Sequence, residues 1–306
     1  MGVREQIAED LSIDGDYVVQ PQVLDAADFG VPQTRKRLLF IGVHRSLRSK
    51  PPVLTGSDAT FAVALDRTPA KRERYKVTIA DGLWSEDIAA RLCDPQDTTI
   101  VSVEKAISDL ACLKTGNRDD ELPYSELVPP ASAYQRLMRS GAGAEISNVQ
   151  VPRINPDTKM RLGSVPQGGN HRDLPEALLE RYLTGQRWGQ DNGTGRLSRR
   201  HFYAYRRLHP GIWAWTLNTK ADSVYHYSVP RALSVREFAR IQSFSDSFVF
   251  TTDTRRGPLP GRIDGGAAHS KYRQVGNAVP PLLAKAAGDA LREMLATRVA
   301  FRRRTA

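Results

Sequence analysis

The chain has 306 residues, with 44 Lys plus Arg against 34 Asp plus Glu, a net charge of +10 and an isoelectric point near 9.7. A 40% hydrophobic share with four Trp, ten Tyr and nine Phe excludes a disordered chain, and two cysteines exclude a disulfide framework. No apolar run approaches the ~20 residues that span a bilayer, and the charged start MGVREQIAEDLSIDGD carries no apolar signal region, so the expectation is a soluble, cytoplasmic protein with no membrane partner.

Val3 to Leu11 reads as a short helix. Tyr17 to Gln20 and Val23-Leu24 read as extended, and Asp28 to Pro32 as a turn. Arg37 to Val43 is a continuous apolar run too short for a typical helix, which predicts a buried strand of the kind found in parallel sheets. After Lys50-Pro51-Pro52, and up to about residue 230, the chain is irregular, with short helices expected at Val103 to Leu110, Ser132 to Arg139 and Leu174 to Leu183. A stretch this long with so few periodic segments reads as a separate recognition domain. Order returns at Ser234, where Glu237 three residues later makes a capping box, and Val235, Phe238, Ala239 and Ile241 suit one helical face. Pro280-Pro281 opens a last helix to about Thr297, followed by a frayed, solvated tail at Arg302-Arg303-Arg304.

Three segments hold chemistry-bearing residues. In Pro32-Gln33-Thr34-Arg35-Lys36-Arg37, alternation puts Gln33, Arg35 and Arg37 on one face. An arginine at a strand end can offer a rigid, permanently charged fork to a carbonyl or phosphate, and a solvated charge cluster is the plainer alternative. In Tyr272 to Pro281, a Gly276-Asn277 turn leads into a helix N-terminus, which is either a polar-ligand site or an ordinary capped start. In Leu197 to Leu208, basic residues interleave with aromatics ahead of Trp213 and Trp215. This is either a track for a nucleic-acid backbone or an amphipathic strand with a packed aromatic face. The positive balance of the chain suits a polyanion, or a basic protein without that role.

Together these segments resemble the DNA cytosine-5 methyltransferases. Gly30-Val31-Pro32-Gln33-Thr34-Arg35-Lys36-Arg37 is similar to that family's GVPQxRxR block. Arg231 to Phe244 is similar to its RxLTvREaARLQxFP block, with Ser234 for the usual Thr and Ser245 for the usual Pro. Gln274 to Pro281 is similar to its QvGNAVPP block, and Ser102 to Leu110 and Arg206-Arg207-Leu208 with Thr216-Leu217 are looser matches. The resemblance implies methyl transfer from S-adenosylmethionine to C5 of a cytosine flipped out of duplex DNA, as in restriction–modification, with a cysteine thiolate adding at C6 and a glutamate assisting at N3. It implies that Arg37 contacts the cytosine carbonyl, where a fixed guanidinium would stabilise growing negative charge. It further implies that Arg35 and Gln33 support this loop and the bound base, and that Asn277, Ala278 and Val279 line the cofactor pocket. Arg236 and Glu237 match residues that brace the recognition domain. Candidates for base reading in the major groove are Arg196, Arg199, Arg200 and the loop Gly168-Gly169-Asn170.

The family's FxGxG loop, Pro-Cys nucleophile and Glu-Asn-Val block have no counterpart here. Gly141-Ala142-Gly143 follows no strand, and Cys93 and Cys112, in Arg91-Leu92-Cys93-Asp94 and Leu110-Ala111-Cys112-Leu113, read as packed, inert thiols. The implied fold is therefore α/β: the C-terminal part of a Rossmann-like S-adenosylmethionine-dependent methyltransferase domain plus a smaller, irregular target-recognition domain. Residues 1–50 would end the catalytic domain, 51–230 form the recognition domain and 231–306 return to complete the first. The expected partners are double-stranded DNA and a complementary subunit, or missing N-terminal half, carrying the nucleophile. Apolar surface left bare on 1–50 and 231–306 would mark that interface. The competing expectation is a DNA-binding relic or regulator without catalysis. No metal-ligand cluster, P-loop or nucleophile elbow points to an enzyme of another class.

Overall fold

The computed structural model describes residues 2–60, 86–178, 205–251 and 266–305. Helix α1 (Val3–Asp10) leads into β1 (Tyr17–Asp25), which pairs antiparallel with β2 (Lys36–His44), from Tyr17 opposite His44 to Asp25 opposite Lys36. The strand expected at Arg37 to Val43 is therefore present, but in a two-stranded antiparallel sheet rather than a buried parallel one. The connection over residues 26–35 is too short for the crossover of a dozen or more residues that a parallel pair requires. Ile41 and Val43 face the interior while Leu38 is 40% exposed.

The connection is held by its own backbone. Asp25 Oδ1 accepts from the N–H groups of Ala27 (3.3 Å) and Arg35 (2.8 Å), and the Ala26 N–H donates to the Arg35 carbonyl at 3.0 Å. A 3-10 turn at Ala26–Phe29 ends in Gly30 at φ +76°, in the left-handed region, where a Cβ would also stand 2.6 Å from the Thr98 carbonyl. Only glycine meets both demands.

Three further helices follow: α2 (Glu86–Cys93), α3 (Val103–Ile107), capped by Ser102 and extended by a 3-10 turn over Ser108–Leu110, and α4 (Ala133–Arg139), whose Ser132–Gln135 capping box is complete. Short strands β3 (Glu121–Pro123) and β4 (Glu145–Ser147) pair antiparallel, and α5 (Pro156–Ser164) starts from an Asn155 cap. The expected helices at 103–110 and 132–139 are thus present, whereas of the one at 174–183 residues 176–178 are helical and 179–183 lie outside the described residues. Cys93, at the end of α2, and Cys112, just past the 3-10 turn, are exposed rather than packed.

Helix α6 (Val235–Ile241) is the centre of the core: all seven residues are buried, not one face alone. Its apolar side meets Val101, Ile107, Tyr134 and Met138 from one direction and Tyr272 and Val275 of α7 (Gly266–Asn277) from the other. The Phe238 and Tyr272 rings meet edge to face at 4.9 Å. Helix α8 (Pro281–Thr305) runs through the segment expected to fray. The core crosses the expected divisions near residues 50 and 231, because α3 and α4 pack on α6 and the Ala214 backbone bonds Pro32 and Thr34.

The polar side of α6 is buried by pairing. Arg231 grips Glu237 with two bonds of 2.8 Å, while Glu237 also caps the helix at the Ser234 N–H (2.7 Å). Arg240 lies between Asp109 (2.6 Å) and Asp246 (2.9 and 2.6 Å), and Arg236 donates to the carbonyls of Ser147, Ser245 and Phe248. Burial would lower the Arg240 pKa, but its two carboxylates hold it above the ordinary value. Arg240→Ala should cost about 3–5 kcal/mol in urea unfolding, because it strands buried carboxylates, whereas Lys285→Ala on the exposed face of α8 should leave the midpoint unchanged.

His226 is fully buried, and its Nδ1 accepts from the N–H groups of Ser228 (3.2 Å) and Val229 (3.3 Å). Burial pushes its pKa down to about 4, against which Glu237 works only in part. Between that value and the unfolded pKa near 6.5, the unfolded chain binds the proton and the folded chain does not. Stability should therefore fall as pH drops from about 6.5 to about 4, by up to ~3 kcal/mol. Urea midpoints across that range should flatten in His226→Asn, whose Oδ1 can replace the Nδ1 acceptor.

Candidate active site

The loop between the 3-10 turn and β2 turns two of its polar side chains inward. Gln33 is 0% and Arg35 is 3% exposed. The Gln33 Nε2 donates to the Ile241 carbonyl at 3.1 Å and to Gln242 Oε1, and Gln33 Oε1 accepts from the Leu217 N–H at 3.2 Å. Gln242, just past the end of α6, donates from its own Nε2 to the carbonyls of Val275 (3.2 Å) and Ala278 (2.7 Å). The Arg35 guanidinium donates to the Leu217 carbonyl at 3.0 Å and the Gly276 carbonyl at 2.5 Å. Two amides and one guanidinium thereby join the three sequence blocks and the 214–217 segment. Gly276 permits the closure: a Cβ there would run into the Asn218 carbonyl.

Arg35 has carbonyl partners and no carboxylate. Burial, then the charge of Arg37, pushes its pKa down to about 10. The expected catalytic group of Gln33, Arg35 and Arg37 therefore divides. Gln33 and Arg35 lie in the interior, with their side chains bonded to main-chain carbonyls. Arg37 is partly buried, its pKa held below the ordinary value by that burial, and its guanidinium donates to the neighbouring Lys36 carbonyl at 3.0 Å, on the exposed side. The loop is anchored by two side chains and presents the third.

The end of α7 is arranged alike. Asn277 and Val279 are exposed, Val279 by 47%, while Ala278 is partly buried with its carbonyl on Gln242. The Asn277 side chain has no hydrogen-bond partner among the described residues. The start of α8 is fixed by the Leu282 N–H donating to Ser243 Oγ at 3.1 Å. The residues that resemble a cofactor pocket are thus held through their backbone and leave an amide and an apolar side chain outward. Gln242 was not singled out as a site residue in the sequence. Its position just after a capping-box helix, inside the second block, is the signal that marks it.

The remaining candidates fare differently. Arg196, Arg199 and Arg200 lie outside the described residues. Gly168 and Gly169 are buried, not offered to a ligand: the Gly168 N–H donates to the Leu208 carbonyl at 3.2 Å, and the Gly169 carbonyl accepts from the Arg207 N–H at 3.0 Å. A Cβ on Gly169 would stand 2.8 Å from the Pro166 carbonyl, so close packing explains it. Of the aromatic–basic segment, Tyr205 stacks on Tyr225 at 6.2 Å, Arg206 lies over the Trp215 ring at 5.5 Å, and Arg207 donates to the carbonyls of Tyr227 (2.9 Å) and Val165 (2.8 Å). This described part is packing. Among the described residues no group of His, Cys, Asp and Glu could hold a metal ion, and no helix is long and apolar enough to cross a membrane.

The chain is 27% identical to the type II methyltransferase M.DdeI of Desulfomicrobium norvegicum, over 94% of this chain and 57% of that protein. It is 27% identical to M1.HphI of Haemophilus parahaemolyticus, over 91% and 49%, and 26% identical to M.AgeI of Thalassovita gelatinovora, over 90% and 66%. It therefore spans about half to two-thirds of the length of these relatives. A solved prophage-encoded DNA modification methyltransferase (E. coli) shares the fold with a TM-score of 0.51 at 20% identity, over 96% of this chain and 66% of that one. The family model for C-5 cytosine-specific DNA methylases matches residues 2–293, and the chain belongs to that family.

Proposed function

We propose that this chain supplies the target-recognition and closing part of a DNA cytosine-5 methyltransferase, acting on a cytosine flipped from duplex DNA, with the nucleophilic cysteine supplied by an N-terminal half or a partner chain. The observation that carries this reading is the buried node, which spends Gln33, Arg35 and Gln242 on architecture and leaves Arg37 and Asn277 at the surface. Double-stranded DNA and S-adenosylmethionine are the substrate and methyl donor of the family. Three features support an outside source for the nucleophile. The sequence has no Pro-Cys pair. Val23 and Leu38 of the hairpin are 63% and 40% exposed, and Val3 of α1 is 79% exposed. Such apolar surface is what a partner covers.

In this reading Arg37 donates to the cytosine carbonyl. Its charge persists at any working pH even after partial burial, and it gains most when negative charge builds on the ring. Gln33 and Arg35 hold the loop so that this donor is in place beforehand. S-adenosylmethionine supplies an activated methyl group. Asn277 and Val279 fit one wall of its site, since they combine an exposed, unbonded amide with exposed apolar surface at the end of a helix held by Gln242. Residues 51–230 are assigned to target recognition, with 101–138 also packed on α6.

The lack of a Pro-Cys pair also favours a second reading, a DNA-binding relic or regulator. The full chain mixed with a nucleophile-bearing segment of a relative, labelled S-adenosylmethionine and duplex DNA separates the two: methyl transfer supports the first reading, and DNA binding without transfer supports the second. In the active mixture, Arg37→Ala should cut methyl transfer by about 10²–10³-fold while changing DNA affinity far less. Equal losses would make Arg37 a phosphate contact. Asn277→Ala should weaken S-adenosylmethionine binding about tenfold by calorimetry, and an unchanged affinity would remove Asn277 from the cofactor wall.

A further inference from the structure

A second concave feature lies away from the node. A cleft of about 700 Å³ opens between the loop 115–118 and the segment 150–154, with Ala221 and Tyr272 also lining it. Its walls are tied together: the Gly116 N–H donates to the Val151 carbonyl at 3.1 Å, and the Val151 N–H to the Asn117 carbonyl at 3.0 Å. Lys271 of α7 bonds Asp120 at 2.5 Å, which anchors the loop to the same helix that ends in Asn277.

The polar groups lining the cleft sort into two kinds. The side-chain amides bond within the walls: Asn117 Nδ2 donates to the carbonyls of Asp119 (3.2 Å) and Val149 (3.3 Å), and Gln150 Nε2 donates to the Arg118 carbonyl at 2.8 Å. Thr115 Oγ1 is turned to the Pro152 carbonyl at 3.4 Å. The guanidiniums of Arg118 and Arg153 are exposed and have no hydrogen bond or ion pair among the described residues. This differs from the arginines of the core, each of which is spent on carboxylates or carbonyls.

We propose that this cleft holds the phosphodiester backbone of duplex DNA, with Arg118 and Arg153 each neutralising a phosphate. The assignment rests on DNA being the substrate, and adds where and how its backbone is held. Free guanidiniums match phosphate oxygens with two donors, while the amide of Asn117 is engaged within its own loop and that of Gln150 is turned to the Arg118 carbonyl. The contact is therefore one of charge and carries no sequence information. Its position fits the proposed chemistry. Ala221 follows by four residues the Leu217 whose carbonyl holds Arg35, and Tyr272 lies five residues, ~8 Å along the helix axis, before Asn277. A strand seated here runs beside the elements that place Arg37 and Asn277.

The test is the salt dependence of binding of the full chain to two duplexes of unrelated sequence, followed by fluorescence anisotropy. Each phosphate contact contributes about 0.9 to the slope of log K against log salt. Arg118→Ala with Arg153→Ala should therefore lower the slope by about 2 on both duplexes, and the Lys pair, R118K with R153K, should keep it. An unchanged slope in the Ala pair, or a loss confined to one duplex, overturns the assignment while leaving the chain a DNA binder. No binding of the unaltered chain at any salt overturns both this assignment and the methyltransferase reading on which it rests.

Discussion

The loop 32–37 buries an amide and a guanidinium for which its own strand has no acceptors. A buried donor without a partner costs roughly 1–3 kcal/mol, and more when it is charged, so Gln33 and Arg35 can be interior only if carbonyls arrive from elsewhere. Those carbonyls belong to Leu217, Ile241 and Gly276, with Gln242 passing the constraint on to Val275 and Ala278. The hairpin, the end of α6 and the end of α7 must therefore meet at one place. The partly buried Arg37 and the exposed Asn277 and Val279 follow from that meeting, since each lies within two or three residues of one whose polar groups are already committed.

Helix α6 is what the meeting is built on, and it is short. A seven-residue helix is marginal by itself, so its order comes from enclosure. The aromatic pair Phe238–Tyr272 closes one side, and the arginines 231, 236 and 240 close the other through carboxylates and carbonyls drawn from residues 109–110, 147 and 245–248. Glu237 caps its own helix and grips Arg231 at once. The same contacts join the segment 101–139 to α6, so residues assigned to recognition share a core with the return segment.

Much of this was legible in the sequence where the information is local. The helix at Ser132 to Arg139, the capping box at Ser234, the proline start of α8 and the blocks around Gln33, Glu237 and Asn277 depend on neighbours within a few residues. What depends on distant partners was not. The run at Arg37 to Val43 is apolar enough for a buried parallel strand, and only the short connection to β1 makes it half of an antiparallel hairpin. Gly168 and Gly169 have the composition of a ligand loop, but Leu208 and Arg207 claim their backbone groups. Cys93 and Cys112 sit among apolar neighbours in sequence yet fall on the outside of their turns. Arg118 and Arg153, ordinary in the sequence, stand out only once the cleft shows them exposed and without a hydrogen bond or ion pair among the described residues.

Most acceptors in the node are main-chain oxygens, and this bears on how such a chain can change over time. A carbonyl is the same whichever side chain its residue carries, so Leu217, Val275 and Ala278 can drift in identity without releasing the loop. This chain is 27% identical to M.DdeI, and side-chain change of that order need not touch these oxygens. Spacing has no such freedom. One residue gained or lost between Gln242 and Ala278 inside the packed elements would rotate the wrong carbonyls inward, so length change is confined to stretches outside that grip while substitution is tolerated within it.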